Sequence, residues 1–323
     1  MTMKPITLKS FYHAKKRIQH YAARTPLIFS PALSEKTGKH IYLKIESLQP
    51  IGAFKLRGAA NALLCLSEEE KKKGVIAFST GNHGRAVAYM AGLMGIDAYI
   101  VLSERVPVFR VEAMEKLGAT VVRHGASQDD AYAYALELKK EKGLTMIPPF
   151  DDPAIIAGQG TIGIEIMEDL PQVDTVVVPL SGGGLMAGIS FVMKKMDKKI
   201  HMYGVSMESA PAMHASLTFG KPVEIEEKDS LADALLGGIG LDNKYTFPMV
   251  RDLVDEVILV SEEEIAEGMR HCLEKERCVI EGSGAVGVSA LLSGKLKVRG
   301  ENAVVVLSGG NVDMPVLKSV VCG

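Results

Sequence analysis

The chain has 323 residues, of which 47% are hydrophobic and 24% are charged, and its formal net charge is −2. At roughly 150 residues per domain this length suits two domains or one large unit with an inserted lobe, and the near-neutral charge argues against binding to nucleic-acid phosphates. No apolar run approaches the roughly 20 residues of a membrane helix, and the first residues contain no apolar signal-peptide core, so membrane and secreted classes are not expected.

Short β-branched runs alternate with longer amphipathic or alanine-rich stretches along the chain. Each run predicts a strand, and in chain order these are 41–45, 74–78, 98–102, 120–125, 175–180, 202–206 and 303–310. Continuous apolar runs separated by helices are typical of parallel sheets that helices cover on both faces. The sequence therefore predicts an α/β fold with open parallel sheets.

The stretch from about residue 75 to residue 148 contains predicted strands and helices of its own but no long linker. We therefore expect a small inserted domain at 75–148 and a large domain formed by 1–74 and 149–323. A capping box of Ser261 and Glu264 predicts the start of a helix in the second part of the large domain.

A glycine-rich turn follows the predicted strand at 175–180. This turn and the start of the next helix consist of Ser181, Gly182, Gly183, Gly184 and Leu185. Consecutive glycines let backbone N–H groups converge without interference from Cβ atoms, and the helix N-terminus adds partial positive charge. The pattern matches neither GxGxxG nor GxxxxGK[ST]. It predicts a phosphate site, and the alternative is a tight turn that simply requires glycine.

Lys55 follows Phe54 and two small residues, at the predicted start of a helix after Pro50. A lysine in a crowded apolar setting has a lowered pKa and becomes an amine nucleophile. This signal is weak by itself, because most lysines are solvated. The motifs described next strengthen the prediction that Lys55 is a functional residue.

Two other predicted strand ends carry polar side chains. Around the helix start that follows the strand at 74–78, the groups that suit a substrate carboxylate are Ser79, Thr80, Asn82 and His83. Ser308 lies at the end of the strand in 303–310, and ligands of open α/β sheets bind at the carboxyl ends of strands. Each of these motifs alone also fits an ordinary turn.

In its motifs the chain resembles the serine/threonine dehydratases, which are pyridoxal-phosphate enzymes with the tryptophan-synthase β-subunit fold (fold type II). The motifs are FKLRGA, STGNH, FDDPAIIAGQGTIGIEI, SGGGL and SGGN, in the family's order and spacing over essentially the whole length. The resemblance implies a two-lobed α/β architecture with parallel or mixed open sheets covered by helices. It also implies pyridoxal 5'-phosphate as cofactor and elimination of water from a small β-hydroxy amino acid, which gives a 2-oxo acid and ammonia.

The resemblance further implies roles for individual residues. Lys55 would bind the cofactor covalently and would take the Cα proton as general base. Ser308 would hydrogen-bond the pyridine nitrogen, which favours loss of a β-leaving group over transamination. The cofactor would be held by Phe54, Lys55, Asn82, Ser181, Gly182, Gly183, Gly184, Leu185 and Ser308. The substrate would be bound by Ser79, Thr80, Gly81, Asn82 and His83.

Arg85 departs from the threonine-specific relatives, which have an uncharged residue at this place. Together with residues 235–247 it looks like the subgroup named for hydroxyectoine utilisation or 3-hydroxyaspartate breakdown. Arg85 would then bind the substrate by pairing with a second carboxylate or another polar substituent. The alternative is an outward-facing arginine that caps a helix or bridges subunits.

Other functions stay open at this point. One is an amino-acid racemase with the same cofactor, in which relatives have a serine in place of Thr80. Another is a phosphate- or nucleotide-binding α/β protein that does not use pyridoxal phosphate, and a third is a catalytically silent homologue. The racemase-type metal site is not reproduced by Ser206, Ala210 and Ala212, so we expect no metal.

The expected surroundings of the protein follow from its cysteines and from the family resemblance. Its four cysteines show neither CxxC nor zinc-site spacing, which is typical of reduced thiols in a cytoplasmic protein. We expect a small-molecule amino-acid substrate and neither nucleic acid nor membrane as a partner. Family analogy implies a homodimer or homotetramer.

Overall fold

The computed structural model describes residues 5–79, 81–104, 106, 108–126 and 128–322. Its strands are β1 (Leu27–Phe29), β2 (His40–Ile45), β3 (Val75–Phe78), β4 (Ala98–Leu102), β5 (Thr120–Arg123), β6 (Thr145–Met146), β7 (Thr175–Pro179), β8 (His201–Met207), β9 (Glu256–Val260) and β10 (Asn302–Leu307). Its α-helices are α1 (Leu8–Ile18), α2 (Pro31–Thr37), α3 (Lys55–Leu64), α4 (Glu68–Lys73), α5 (Asn82–Met94), α6 (Val108–Glu115), α7 (Gln128–Lys142), α8 (Pro153–Gln159), α9 (Thr161–Asp169), α10 (Gly184–Met196), α11 (Ala212–Phe219), α12 (Thr246–Leu253), α13 (Glu262–Glu274), α14 (Gly282–Leu292) and α15 (Met314–Cys322).

The strands form two sheets. The large sheet has the order β1-β2-β10-β7-β8-β9, in which β1 is antiparallel to β2 and the other neighbours are parallel. The small sheet has the order β5-β4-β3-β6 and is parallel throughout. The predicted α/β fold with parallel or mixed sheets is confirmed, and each of the seven predicted strands is present.

The large sheet is buried on both faces, and its central strands β7 and β10 each contain an uninterrupted run of buried apolar residues. In β7, Val176 packs into the core on one face and Val177 into the core on the other. In β10, Val304 packs into the first of these cores and Val305 into the second. Each buried side chain of this size stabilises the fold by about 1.5–3 kcal/mol relative to an exposed one. The continuous apolar run is thus the signature of a strand between two helix layers.

The small sheet is also covered on both faces. Ala77 in β3 packs in a cluster with α3 and α5, whereas Ile76 packs against α7. The strands of this sheet lie between Val75 and Met146, inside the stretch for which the sequence predicts a small domain. The division of the chain into domains itself stays a prediction.

Local sequence signals set several helix boundaries. The capping box at the start of α13 is present: Glu264 N–H donates to Ser261 Oγ, and Ser261 N–H donates to the Glu264 carboxylate. Helix α5 ends at Gly95, which has the left-handed conformation that glycine favours. In the described part of the chain, no helix combines the length and the apolar character that crossing a membrane requires.

Four buried charged side chains connect α3 to the large sheet and its helices. Arg57 in α3 donates to Glu46 after β2 and to Glu165 in α9, at 2.6–2.9 Å. Lys44 in β2 donates to Glu165 at 2.6 Å. Burial alone would raise the pKa of Glu46. The charge and hydrogen bonds of Arg57 and the hydrogen bond from Thr25 lower the pKa by more than burial raises it, so the pKa of Glu46 is below its usual value. Two cations and two carboxylates therefore balance inside the protein.

Candidate active site

A cavity of about 1420 Å³ lies between the two sheets. Its walls include the carboxyl ends of β3, β7 and β10 and the first turns of α3, α5 and α10. A further wall is formed by residues 223–244, which contain no regular structure except a short 3₁₀ turn at Asp233–Leu235. Strand ends and helix N-termini together present backbone donors to the cavity.

Lys55 is the first residue of α3, and its side chain lies in the cavity wall. Its Nζ donates to the carbonyl of Pro149 at 2.8 Å and lies 5.4 Å from the centre of the Phe54 ring. The pKa of the Lys55 amine is lowered to about 8, because burial disfavours its charged form. At pH 7 about a tenth of this amine is therefore uncharged, far more than for a solvated lysine, and the uncharged form is the one that a nucleophile or a general base requires.

The turn before Lys55 is hydrogen-bonded to the turn after β10. Phe54 N–H donates to the Ser308 carbonyl at 3.0 Å, and Gly310 N–H donates to the Gly52 carbonyl at 2.9 Å. Gly52 has φ +77°, and a Cβ there would lie 2.5 Å from Asn311 Oδ1. This close approach brings the buried Ser308 into the same cavity as Lys55.

The glycine turn after β7 is packed so closely that its residues have no room for a side chain. A Cβ at Gly182 would lie 2.3 Å from the Phe150 ring. Gly183 has φ +87°, and a Cβ there would lie 2.8 Å from Met213 Cε. Helix α10 begins at Gly184, so its free N–H groups and partial positive charge point to this turn. The arrangement suits a phosphate group.

The loop between β3 and α5 contributes donors and one unpaired acceptor. His83 Nε2 donates to the Ile147 carbonyl at 2.8 Å, because a carbonyl can only accept. Its Nδ1 is buried and has no partner among the described residues. Burial, followed by the nearby charge of Lys55, lowers the pKa of His83 to about 3. His83 is therefore neutral at physiological pH, and its Nδ1 can accept but not donate.

The structure brings the predicted site residues to one cavity. Those lining it are Phe54, Lys55, Ser79, Gly81, Asn82, His83, Arg85, Ser181, Gly182, Gly183, Gly184, Leu185 and Ser308. Thr80 lies outside the described residues. Gly81 N–H donates to Ser79 Oγ at 3.3 Å, which closes the start of the loop. Arg85 Nη1 donates to Asn311 Oδ1 at 3.0 Å, and no carboxylate of the described residues pairs with Arg85.

Two polar residues of this site, Glu281 and Asn311, were not predicted from the sequence. Glu281, just before α14, is 4% exposed and accepts from Asn82 Nδ2 at 2.7 Å. Burial, with a smaller contribution from the negative charge of Asp233, raises the pKa of Glu281 to about 7. Asn311 donates to Asn82 Oδ1 at 2.6 Å. Asn311 belongs to the SGGN motif and so had a sequence signal, whereas Glu281 is a single acid with none.

Comparisons with known proteins extend over the whole of this architecture. The family model for pyridoxal-phosphate dependent enzymes matches residues 18–309. A Sinorhizobium fredii protein that carries a threonine dehydratase name is 51% identical over 98% of this chain and 96% of its own length. An L-threonine ammonia-lyase from Thermotoga maritima is 44% identical over 98% of this chain and 78% of its own. The structure of maize serine racemase is similar with a TM-score of 0.93 and 34% identity, covering 98% of this chain and 97% of that one.

Proposed function

Because the chain belongs to the family of pyridoxal-phosphate dependent enzymes, we propose that it is an ammonia-lyase acting on a small β-hydroxy amino acid. The reaction eliminates water and releases a 2-oxo acid and ammonia. The observation that carries this proposal is the 51% and 44% identity, over nearly the whole chain, to relatives named for threonine dehydratase and L-threonine ammonia-lyase. Substrates of the threonine, serine or 3-hydroxyaspartate type all fit this reaction.

The residues of the cavity fit pyridoxal phosphate. Lys55 offers a buried amine of lowered pKa for the aldehyde. The turn at 182–184 offers backbone N–H groups at a helix N-terminus for the phosphate, in a space too tight for a Cβ. Ser308 offers a hydroxyl at a strand end for the ring nitrogen, and Phe54 and Asn82 line the same cavity. Ser181 and Leu185 complete the phosphate turn.

When bound, pyridoxal phosphate supplies a ring that withdraws electrons and stabilises negative charge at the substrate Cα. Lys55, with a pKa near 8, takes the proton from that carbon as general base. Neutral His83 adds no positive charge that would raise the barrier to protonating Lys55. The wall at 223–244 and the small sheet limit the access of water to the cavity.

The loop of Ser79, Thr80, Gly81, Asn82 and His83 would receive the substrate carboxylate through hydroxyl and backbone N–H donors at the N-terminus of α5, because the free ring nitrogen of His83 can only accept. Arg85 follows one turn of helix later, and its remaining N–H groups are available to a ligand. A second carboxylate on the substrate would form a charge-assisted pair with this guanidinium. Activity on 3-hydroxyaspartate that falls in Arg85→Ala far more than activity on serine and threonine would support this role. Equal losses on all three would contradict it.

Formation of 2-oxo acid is the direct test of the proposed function. The purified enzyme is assayed with serine, both threonine epimers and both 3-hydroxyaspartate epimers. We expect 2-oxo acid and ammonia in equal amounts from at least one of them, and loss of both products in Lys55→Ala. Absence of product from all five, with pyridoxal phosphate bound, would contradict the proposal.

A racemase is the second candidate, because maize serine racemase has the same architecture at 34% identity. A racemase exchanges the Cα proton with solvent and returns the substrate inverted. In deuterium oxide, recovered serine that is deuterated and of the opposite configuration would favour this activity. Recovery of unchanged serine alongside pyruvate would favour the lyase.

The arrangement of the protein in solution is a separate proposal. We propose a cytoplasmic homodimer or homotetramer in which residues 75–148 form a small domain inserted into a large one, 1–74 with 149–323. The edge strand β1 supports an assembly, because Ile28 and Phe29 are more than 40% exposed. Sedimentation equilibrium tests the subunit number, and a monomer at micromolar concentration would contradict it.

A further inference from the structure

Four side chains from three parts of the fold form one continuous chain of hydrogen bonds beside Lys55. Arg85 Nη1 in α5 donates to Asn311 Oδ1 at 3.0 Å. Asn311 Nδ2, after β10, donates to Asn82 Oδ1 at 2.6 Å. Asn82 Nδ2, also in α5, donates to Glu281 Oε1 at 2.7 Å. Each donor thus points the same way, from the guanidinium at one end to the carboxyl group at the other.

The orientation of both amides in this chain is fixed by a backbone carbonyl. Asn311 Nδ2 also donates to the Ile51 carbonyl at 2.8 Å. A flipped Asn311 would place its oxygen against that carbonyl and its NH₂ group against Arg85, which is itself a donor. Asn82 must therefore accept through Oδ1 and donate through Nδ2. One N–H of Asn82 then faces Glu281, and its second N–H has no partner among the described residues of the cavity, so it can meet a ligand.

Glu281, the acceptor at the end of this series of hydrogen bonds, is held in place as the two amides are. The second oxygen of Glu281 accepts from the backbone N–H of Asn311 at 3.1 Å. Gly309 has to be glycine here, because a Cβ would lie 2.3 Å from Glu281 Oε1. Hydrogen bonds that align in one direction strengthen one another in a medium of low dielectric constant. The chain is therefore more rigid than four separate contacts would be.

We propose that Arg85, Asn311 and Glu281 are positioning residues for Asn82, which they lock so that its free N–H meets an acceptor atom of the bound cofactor. This inference rests on the proposed function, which places pyridoxal phosphate in the cavity that these residues line. Besides the proposed substrate contact, it gives Arg85 a role in cofactor binding that is measured without substrate. It also gives Glu281 a role through Asn82 and not through contact with the reacting atoms.

Binding of the cofactor and its absorption spectrum test the proposal without measuring turnover. Glu281→Gln places an NH₂ group where the carboxylate accepts from two donors, so one donor loses its partner. Arg85→Met removes the donor at the other end and, on the cavity wall, disturbs no core packing. In each variant we expect the visible absorption maximum of the loaded enzyme to shift. We also expect the Kd for pyridoxal phosphate to rise about tenfold, as for one charge-assisted hydrogen bond.

The double variant shows whether Arg85 and Glu281 act through one connected series of hydrogen bonds or through two independent contacts. If the four side chains act as a unit, the second substitution adds little to the effect of the first. The Kd for pyridoxal phosphate of the double variant Glu281→Gln with Arg85→Met should then stay within about twofold of the Kd of whichever single variant binds the cofactor more weakly. A Kd that rises by the product of the two single effects would overturn the proposal. So would a wild-type spectrum and Kd in both single variants.

Glu276→Gln is the matched control. Glu276 is a buried carboxylate as well, bonded to Ser30 Oγ at 2.6 Å and near His271, but it does not line the cavity. This variant should leave the spectrum and the Kd unchanged, and equal shifts in Glu276→Gln and Glu281→Gln would overturn the specific role of Glu281. The test is separate from that of the lyase reaction, because spectrum and Kd report on the cofactor even in an enzyme that forms no 2-oxo acid.

Discussion

At the scale of single residues, Lys55 combines access to a cavity with an amine that loses its proton more easily than an ordinary lysine. Burial lowers its pKa to about 8. Only the uncharged amine attacks an aldehyde. For the cofactor-free enzyme we expect the rate of pyridoxal phosphate attachment to rise with pH and to level off above about pH 8, measured by stopped-flow absorbance.

A rate that keeps rising to pH 10 would show that the amine is as basic as a solvated lysine and would contradict this prediction. Lys55→Ala is the control for attachment at other lysines, and its rate should be negligible at every pH. Reduction with borohydride followed by mass spectrometry of peptides locates the attachment. Label on a surface lysine alone would contradict the role of Lys55.

The sequence was informative about residues whose neighbours in the chain reveal their chemistry. Lys55 and Ser308 stand in motifs whose small residues and strand ends already indicate a site. Glu281 has no such context, because its burial depends on the distant residues Asn82, Gly309 and Asn311. A raised carboxyl pKa is a property of the assembled fold, and the identity of an acid in the sequence does not contain it.

At the scale of elements, the glycine turn after β7 yields a prediction about Gly183. Alanine there meets two costs: the left-handed backbone costs about 1–2 kcal/mol, and the new Cβ overlaps Met213 and Thr246. Gly220 has a similar φ of +74° but open space around it. We expect urea unfolding of the holoenzyme to show Gly183→Ala less stable than Gly220→Ala by about 2 kcal/mol, the cost of overpacking.

The same pair of variants separates stability from cofactor binding. Gly183→Ala should weaken binding of pyridoxal phosphate at least tenfold, because backbone N–H groups of the turn move away from the phosphate. Gly220→Ala should bind it as tightly as the wild type. Equal affinities in a fluorescence titration would show that the turn does not hold the phosphate.

Helix α3 is fixed by its buried charges, which leads to a prediction about Arg57. Arg57→Met leaves Glu46 and Glu165 without their main partner in the interior. Removing one member of a buried ion pair costs about 3–5 kcal/mol. Arg24→Met is the control, because Arg24 is 47% exposed in its ion pairs with Glu168 and Asp169. That variant should lose less than about 1 kcal/mol in the same unfolding experiment.

A similar loss in both variants would contradict a special role for the buried charges. The effect of Arg57→Met should also depend on pH. Glu46 has a lowered pKa in the folded protein, so its ionised form stabilises the fold at neutral pH and this contribution disappears on acidification. The difference between wild type and Arg57→Met should therefore shrink as the pH falls below about 4.5, the ordinary pKa of a glutamate.

Strands could be predicted from sequence when they are buried and continuous. Of the three that were not predicted, β1 and β6 are too short to show this signature, whereas β9 contains the apolar run 257–260 and was missed. β1 has only three residues, two of them exposed, and β6 has two residues. β9 begins at the exposed Glu256 and is buried at alternate positions, as expected at the edge of a sheet. Their pairing partners define them, and pairing is not visible in a short stretch of sequence.

At the scale of the whole molecule, Arg110 forms two ion pairs that join a helix of the small sheet to loops of the large one. Arg110 in α6 donates to Asp313 at 2.8 Å and to Asp233 at 3.0 Å. Arg110→Ala should loosen the contact between α6 and the loops that carry Asp233 and Asp313 on the cavity wall. We expect the KM for the amino acid to rise about fivefold, in line with a partly exposed ion pair, while the absorption spectrum of the cofactor stays unchanged.

Arg123→Ala is the matched control, because Arg123 donates to the Glu104 carbonyl within the small-sheet region and does not bridge the sheets. It should leave the KM unchanged. Hydrogen exchange should increase in α6 of Arg110→Ala and not in Arg123→Ala. An unchanged KM together with unchanged exchange would contradict a role for Arg110 in holding the two parts together.

The order of strands in the large sheet has a consequence for synthesis of the enzyme. β2 and β7 are separated by β10, so the sheet stays in two pieces until residues 302–307 leave the ribosome. The same late segment brings Ser308 and Asn311 to their places beside Lys55. Nascent chains released before this point therefore leave the facing edges of β2 and β7 unpaired, and they lack the turn that is hydrogen-bonded to the turn before Lys55.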